Sequence, residues 1–267
     1  DNKVNNMVNI AKEINIGLDS LVFVDDDYVN REMVKQSLPE VLVVDLPADS
    51  SLYVETIKDM NDFNTLQITS EDFKKGEIYY QQRKRNELKT ENINIADFLK
   101  SLEMEVTIDF VNDFTLPRVA QLTKKTNQFN LTTRRYTEED IKLFRDSEDS
   151  EVFSLTVKDK FGDNGLTGVI ILKKSDKKLV IDTFLLSCRV IGRDLEKVML
   201  YFIQDYAKSN KYKEIVGEFI RTIKNSQVSN LYYENGFEKL ENTDKNRYIL
   251  KDFEKIEKIK YIDFKSN

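Results

Sequence analysis

Cys188 is the only cysteine in 267 residues, and it stands directly before Arg189 in the run TFLLSCRVIGRDLE. The residues before it read as a strand and those from 194 as a helix, so the thiol falls where a strand ends and a helix begins. A helix N-terminus and the guanidinium groups of Arg189 and Arg193 favour thiolate over thiol. Cys188 is therefore a candidate nucleophile, able to carry an acyl group as a thioester. The bland alternative is a small buried hydrophobe, the commoner fate of a free cysteine. The chain contains no His, which excludes Ser-His and Cys-His pairs and His metal ligands. A base for Cys188 would have to be a carboxylate, with Asp182 as candidate, or the electropositive turn itself. Any metal must be held by oxygen ligands, which favours Mg²⁺.

Two further groups of residues have chemical potential. Asp25, Asp26 and Asp27 follow the apolar run SLVFV (20–24). In open α/β sheets ligands sit outside the carboxyl ends of strands, and carboxylates there can hold Mg²⁺. Equally, they can cap the helix expected over 30–38. The run TNQFNLTTRRY (126–136) offers Asn127, Gln128, Asn130, Thr132 and Arg134. These hydrogen-bonding groups with a cation nearby suit a small polyhydroxy acyl group or an amide-bearing pantetheine arm; an ordinary helix–loop–helix corner has the same residue types. Asp163-Asn164-Gly165 reads most simply as a hairpin turn.

These residues must be positioned by a globular frame. Hydrophobic residues make up 40% and charged residues 33% of the chain, and the net charge is −6. That composition is not disordered and has no basic excess for nucleic acid. No apolar run approaches the roughly 18–20 residues of a membrane span, and a single cysteine fits a reducing, cytoplasmic setting. The first residue is Asp rather than Met, which leads us to expect a chain that lacks an N-terminal part. Val4, Met7, Val8, Ala11 and Ile14 recur at helical spacing over 4–16. A strand over 20–24, a helix over 30–38 and a strand over 41–46 come next, an α/β unit with a parallel sheet. Residues 50–102 are charged and helical in tendency, a connector. From 104 onwards strands at 106–111, 152–159, 166–174, 178–187, 214–219, 237–240 and 246–250 alternate with helices at 116–126, 137–146, 194–209 and 225–235, an α+β domain. The expected division is 1–102 and 103–267.

Long runs of the chain resemble the FkbH-like family, in which a haloacid-dehalogenase-type phosphatase domain is fused to a GNAT-like acyltransferase domain. The stretch LDSLVFVDDDYVNREMVKQSLPEV is similar to the phosphatase fourth motif, and DNKVNNMVNIAKEINIGLDS to what precedes it. The resemblance makes Lys3 the phosphate-neutralising lysine and Asp25 and Asp26 the Mg²⁺-binding acids. The nucleophilic aspartate of that family lies before this point, so the first 48 residues are expected to be half a site without phosphatase activity. RVAQLTKKTNQFNLTTRRYTEEDI, KDKFGDNGLTGVIIL and VIDTFLLSCRVIGRDLE are similar to the acyltransferase part.

The fold class implied is a partial Rossmann-like α/β domain followed by a GNAT-like α+β domain. In GNAT proteins a turn of the form R/Q-x-x-G-x-G/A opens a helix and binds the pyrophosphate of acyl-CoA; Arg189 and Gly192 match it, Arg193 lies within it, and Asp194 stands where Gly or Ala is expected. That extra carboxylate repels a pyrophosphate and so disfavours CoA, whereas the single phosphodiester of a carrier-protein phosphopantetheine would suffer less. Asn225, Tyr232, Gly236 and Phe237 match a second GNAT pattern, whose Tyr protonates a leaving thiolate; adjacency leaves Tyr232 and Tyr233 as alternatives for that role. The function implied is transfer of a three-carbon glyceryl group, from a phosphorylated acyl donor, to an acyl-carrier protein. A CoA-dependent N-acetyltransferase and a non-catalytic carrier-docking domain are the alternatives.

Overall fold

The computed structural model describes residues 2–14, 16–64, 75–91, 94–240 and 246–266. The chain forms two compact units, 1–83 and 84–267. The division falls inside helix α4 (Lys75–Glu91) rather than at 102/103, and α5 (Ile95–Ser101) lies in the second unit. The reason is that Arg85, Phe98, Leu99 and Leu102 are buried with the second unit's core residues or polar groups. Part of the expected connector, 65–74 and 92–93, lies outside the described residues.

In the first unit α1 (Lys3–Ile14) precedes β1 (Val22–Phe23), α2 (Tyr28–Ser37), β2 (Leu42–Val43) and α3 (Tyr53–Lys58). The two strands pair in parallel, Val22 with Leu42 and Phe23 with Val43. Both are shorter than their apolar runs suggest. The expected helix over 30–38 begins earlier, at Tyr28, because the Asp27 carboxylate caps it by accepting from the Val29 N–H. Met7, Phe23, Val34, Leu38 and Val41 make the unit's core.

The second unit is an eight-stranded mixed sheet. Its strands are β3 (Glu105–Phe110), β4 (Ser150–Asp159), β5 (Gly162–Ser175), β6 (Lys178–Leu186), β7 (Glu214–Phe219), β8 (Glu238–Lys239), β9 (Asn246–Leu250) and β10 (Asp263–Ser266). Their order is β10-β3-β4-β5-β6-β7-β9-β8, with β6–β7 and β10–β3 parallel. Alternate residues of β4 and β5 enter two separate cores, as a strand's two-residue period requires. Phe153, Leu155, Ile170 and Leu172 pack with α8 (Leu195–Ser209), whereas Val152, Val169 and Ile171 pack with α6 (Leu116–Lys125) and Ile141 of α7 (Glu138–Asp146). Helix α8 is deeply buried along one side, through Leu195, Val198, Met199, Leu200, Ile203 and Ala207. Helix α7 starts at a capping box made by Thr137 and Asp140.

Three local expectations change. The β4–β5 hairpin turns at residues 160 and 161, because Asp159 already pairs with Gly162. Residues 163–165 are instead an irregularity inside β5, with Gly165 at φ +66. The helix expected over 225–235 is a 3₁₀ turn at Ser226–Val228 followed by the short α9 (Leu231–Glu234). No helix among the described residues is long and apolar enough to cross a membrane.

One ion cluster ties the second unit together. Arg85 makes a two-pronged contact to Asp159, Nε–Oδ2 2.6 Å and Nη2–Oδ1 2.8 Å, with both side chains buried. Burial alone would raise the Asp159 carboxyl, but Arg85 and Arg193 hold it below the ordinary aspartate value. We expect Asp159→Asn to lose about 3–5 kcal/mol, as when one partner of a buried pair is removed. Denaturant titration checks it, and a midpoint unchanged from the parent contradicts it.

Candidate functional site

The centre of the second unit is set by one surplus residue. Ile171 of β5 faces Thr183 of β6 and Leu172 faces Ile181, so Asp182 has no partner across the ladder. Such a bulge bends its strand. Pairing between β6 and β7 stops at this level, with Ile181 opposite Gly217, although β6 continues to Leu186 and β7 to Phe219. Two parallel strands therefore separate at Asp182 and leave a gap between their carboxyl halves.

The gap is filled by Phe129, Asn130 and Leu131. Leu131 N–H donates to the Phe184 carbonyl (3.1 Å), Leu186 N–H to the Phe129 carbonyl (3.0 Å) and Ile220 N–H to the Leu131 carbonyl (2.8 Å). Asn130 bridges Leu185 as an antiparallel partner. The buried Asn225 amide donates to the carbonyls of Asn130 and Ile220, both at 2.9 Å. Asn225 therefore fastens this inserted segment to the end of β7, instead of facing a cofactor as expected. Thr132 Oγ1 and Arg134 Nη1 donate to the Asp182 carbonyl, each at 2.9 Å, which satisfies the acceptor that the bulge removes from the ladder.

The carboxylates at the apex are equally engaged. Arg134 bridges Asp182 (3.1 Å) and Glu218 of β7 (2.7 Å). Lys173 also reaches Asp182 (2.8 Å), and the Tyr136 hydroxyl donates to its other oxygen (2.7 Å). Burial would raise the Asp182 carboxyl; Lys173, Tyr136 and Arg134 outweigh it and hold the group below the usual range. Tyr232 lies against Gly217, where any Cβ would come within 2.3–2.7 Å of its ring and hydroxyl. Burial, reinforced by Glu218, pushes the Tyr232 phenol far up. Its hydroxyl is buried and has no hydrogen-bond partner among the described residues. Tyr233, the alternative, is exposed.

Past the carboxyl end of β6 the turn over residues 188–194 leads into α8. Gly192 is at φ +78 with open space around its Cα, and Asp194 is at φ +57 and makes no side-chain cap. The first N–H groups of α8 have no acceptor within the helix, the usual basis of an anion site. The two arginines behave otherwise than expected. Arg193 is buried, donates to Asp159 (3.2 Å) and to the Arg189 carbonyl (2.7 Å), and is pushed down to about 10 by burial and by Arg85. Arg189 donates to the Asn164 carbonyl at 2.6 Å. Both hold the β4–β5 hairpin against the turn. Asp194 is drawn aside by the Tyr261 hydroxyl and by Lys197 (3.0 Å).

The structure thus divides the expected site residues between the middle of β6 and the turn that follows its carboxyl end. Asp182, Asn130, Thr132, Arg134 and Asn225 gather at the bulge and its gap, with Tyr232 beside Gly217. Cys188, Arg189, Gly192 and Arg193 begin six residues beyond Asp182, about 20 Å of chain at ~3.3 Å per residue. Asp182 cannot serve as base for Cys188 over that span. Burial pushes the Cys188 thiol up, and Arg189 and nearby N–H groups oppose this only in part. Asn127 accepts from Arg135, whose guanidinium also closes the end of α6 on the Thr126 carbonyl (3.0 Å); Gln128 is exposed. Glu218 and Tyr136 escaped the sequence reading. Glu218 sits in EIVGEF as one charge in an apolar strand, which was the available signal.

In the first unit Lys3 Nζ lies 3.2 Å from Asp25. Asp25 also accepts from the Asp27 N–H (2.9 Å) and from Asn30 (3.3 Å), while Arg31 donates to the carbonyls of Asp25 and Asp26. Asp26 is exposed. Among the described residues no group of three or more Cys, Asp or Glu is placed to hold a metal ion.

Solution measurements can check both places. Asp182 contributes stability above its ordinary value of 3.8 that is lost as the pH falls through its lower folded value. Arg134→Met raises that folded value, so acid unfolding should begin at higher pH, with about 1–3 kcal/mol lost near neutrality. Melting curves between pH 3 and 7 read this, and superimposable curves refute it. For Cys188, alkylation by iodoacetamide should show a pH midpoint above the ordinary cysteine value, and a midpoint below it would restore the activated thiolate.

No family model matches the chain, and no curated protein does. Solved structures with some likeness include the ribosomal-protein-S18-alanine N-acetyltransferase from Escherichia coli, 14% identical with a TM-score of 0.41, covering 54% of this chain and 90% of that one. A spermidine N-acetyltransferase from Vibrio cholerae in complex with CoA and spermine is 11% identical with a TM-score of 0.40, over 54% and 91% of the two chains. An aminoglycoside acetyltransferase in complex with coenzyme A is 13% identical with a TM-score of 0.41, over 55% and 94%. Likenesses at these scores carry no weight for the activity of this chain, which is read instead from its strand order, its bulge and its turn.

Proposed function

We propose that the second unit is an acyltransferase acting on the thiol of a phosphopantetheine-type arm, with its reaction centre at the Asp182 bulge. The observation that carries this reading is the parting of β6 and β7 at the bulge, followed along β6 by an open turn at the α8 N-terminus. Backbone N–H groups of the turn and the exposed Gly192 suit a phosphate. The carboxyl half of β6 has backbone groups that suit an arm bearing amides, at present taken by residues 129 and 131, and the buried Tyr232 hydroxyl lies at the far end with no hydrogen-bond partner among the described residues. Such an arm belongs to a carrier protein or to CoA. The FkbH-like resemblance supports the carrier protein, and with it a three-carbon glyceryl group as the cargo.

In the transfer a bond forms between the arm's sulfur and the acyl carbon, and the bond from that carbon to the donor's leaving group breaks. The thiol's proton must reach the leaving group. Burial holds Tyr232 in its phenol form; in this proposal its hydroxyl donates a hydrogen bond to the departing oxygen or sulfur, and that group's gain of a proton is matched by the thiol's loss of one, passed on through Tyr232. Asp182 is ionised and saturated with donors, which suits holding the apex in shape better than taking a proton. Cys188 stands near the phosphate end in this reading and has no covalent role. The Lys3–Asp25 pair supports a phosphate-binding remnant in the first unit; the acids there do not fit Mg²⁺ by themselves, and no step passes through a metal.

The N-acetyltransferase alternative gains from one observation: the Asp194 carboxylate, drawn to Tyr261 and Lys197, opposes a pyrophosphate less than its position in the sequence implies. One assay separates the readings. A holo-carrier protein and CoA are each offered with glyceryl and acetyl donors, and mass spectrometry reports thioester formation on the thiol or acyl loss to an added amine. Tyr232→Phe should lower transfer by about 10²-fold or more with stability equal to or above the parent's, since it removes a buried hydroxyl that has no partner among the described residues. Absence of transfer to any thiol or amine, or full activity in the Phe variant, overturns the proposal.

A further inference from the structure

We infer that the segment 129–131 is an internal stand-in for the ligand arm: a strap that closes the β6–β7 gap and must leave before an extended, amide-bearing chain can lie there. The inference rests on the proposed acyltransferase reading.

Parted strands expose rows of unpaired N–H and C=O groups, and an extended chain that supplies the complementary row gains main-chain hydrogen bonds. On β6 the available row includes the Phe184 carbonyl and the Leu186 N–H. Both are taken by the strap, from Leu131 N–H and to the Phe129 carbonyl. The Ile220 N–H of the opposite wall is taken as well, by the Leu131 carbonyl. A pantetheine arm is an extended chain with two amide groups, and running from the turn at Gly192 toward Tyr232 it would meet the Phe184 carbonyl and the Leu186 N–H of β6 and leave the Ile220 N–H uncovered. Strap and arm cannot both occupy the β6 groups. Asn130 and Leu131 are fully buried, so the two cannot simply lie side by side at the surface.

The strap is also fastened by groups that can let go as a set. Its carboxyl end is held by Thr132 and Arg134 on the single Asp182 carbonyl. Its middle is held by the Asn225 amide. It leaves the gap through Thr133, a non-glycine residue at φ +52, a conformation that costs energy and is relieved if the segment swings out. Water can replace each of these hydrogen bonds once the segment is out; the remaining cost of release is the exposure of Phe129 and Leu131, which pack in the main core. Removing one fastening should favour the open form by roughly three- to tenfold.

The test uses the full chain with coenzyme A and pantetheine as probes. Amide hydrogen exchange of Leu131, Ile220 and Leu186 is measured with and without each probe, and affinities are measured by calorimetry for the parent and for Thr132→Val. We expect a saturating probe to speed exchange at Leu131 and Ile220 by about tenfold or more while Leu186 stays protected, now by the probe. Thr132→Val should bind both probes roughly three- to tenfold more tightly. A probe that saturates with Leu131 and Ile220 as protected as before would show the strap to be a permanent strand; the strap idea then fails while the arm reading stands. No binding of either probe to the parent or to Thr132→Val removes the arm reading, and the strap's role with it. If Thr132→Val does not fold, the exchange comparison on the parent decides alone.

Discussion

Asp182 is one residue more than the strand beside it can pair, and much of the second unit's architecture results from accommodating it. The bulge bends β6 away from β7 and ends their pairing at Gly217. It also takes the Asp182 carbonyl out of the ladder and places a carboxylate in a nearly buried position. Each consequence needs a remedy. The unpaired backbone of the parted strands is met by residues 129–131, the orphaned carbonyl by Thr132 and Arg134, and the carboxylate by Arg134, Lys173 and Tyr136. One stretch of chain, 129–136, supplies nearly all of these groups. Arg134 is the hinge of the arrangement because the same guanidinium reaches Glu218 on the far wall of the gap.

A second cluster keeps the carboxyl end of β6 in place. Arg85 and Arg193 converge on Asp159, and Arg189 holds the carbonyl of Asn164, so the hairpin between β4 and β5 buttresses the turn that opens α8. Arginines that look available in the sequence are committed to this support. What the turn has left for an anion is backbone: an exposed Gly192 and the first N–H groups of a long, buried helix. The division of labour is physically sensible. Buried guanidinium groups fix the geometry of the turn.

The sequence made the large elements legible because their patterns were strong. Continuous apolar runs marked β4 to β7, and the apolar face and length of α8 marked a core helix. Hydrogen-bonding residues over 126–136 stood out as a group, but their partners did not. Whether Asn130 and Thr132 face a ligand or the protein's own backbone depends on a bulge that lies 50 positions beyond Thr132, and no local spacing encodes that. The setting of the thiol is hidden for a related reason: the sequence places two arginines beside Cys188, but Arg193 folds back onto Asp159 and burial acts on the sulfur itself. Likewise the pairing of Asp182 with Cys188 took proximity in sequence for proximity in space, which an extended strand denies. Asp159 and Asn164 were read as parts of a strand end and a turn, and their role emerges only when Arg85 arrives from a helix 74 positions away.

The central claim is that the gap opened at Asp182 is closed by a separately releasable segment. Native-state hydrogen exchange in low denaturant tests it most directly. The account predicts that the Leu131 and Ile220 amides open together, with one shared free energy that lies well below that of the β5 amides and responds weakly to denaturant, as a small local opening does. Exchange of both amides only through global unfolding, at the same free energy as β5, would contradict it and make residues 129–131 an inseparable strand of the sheet.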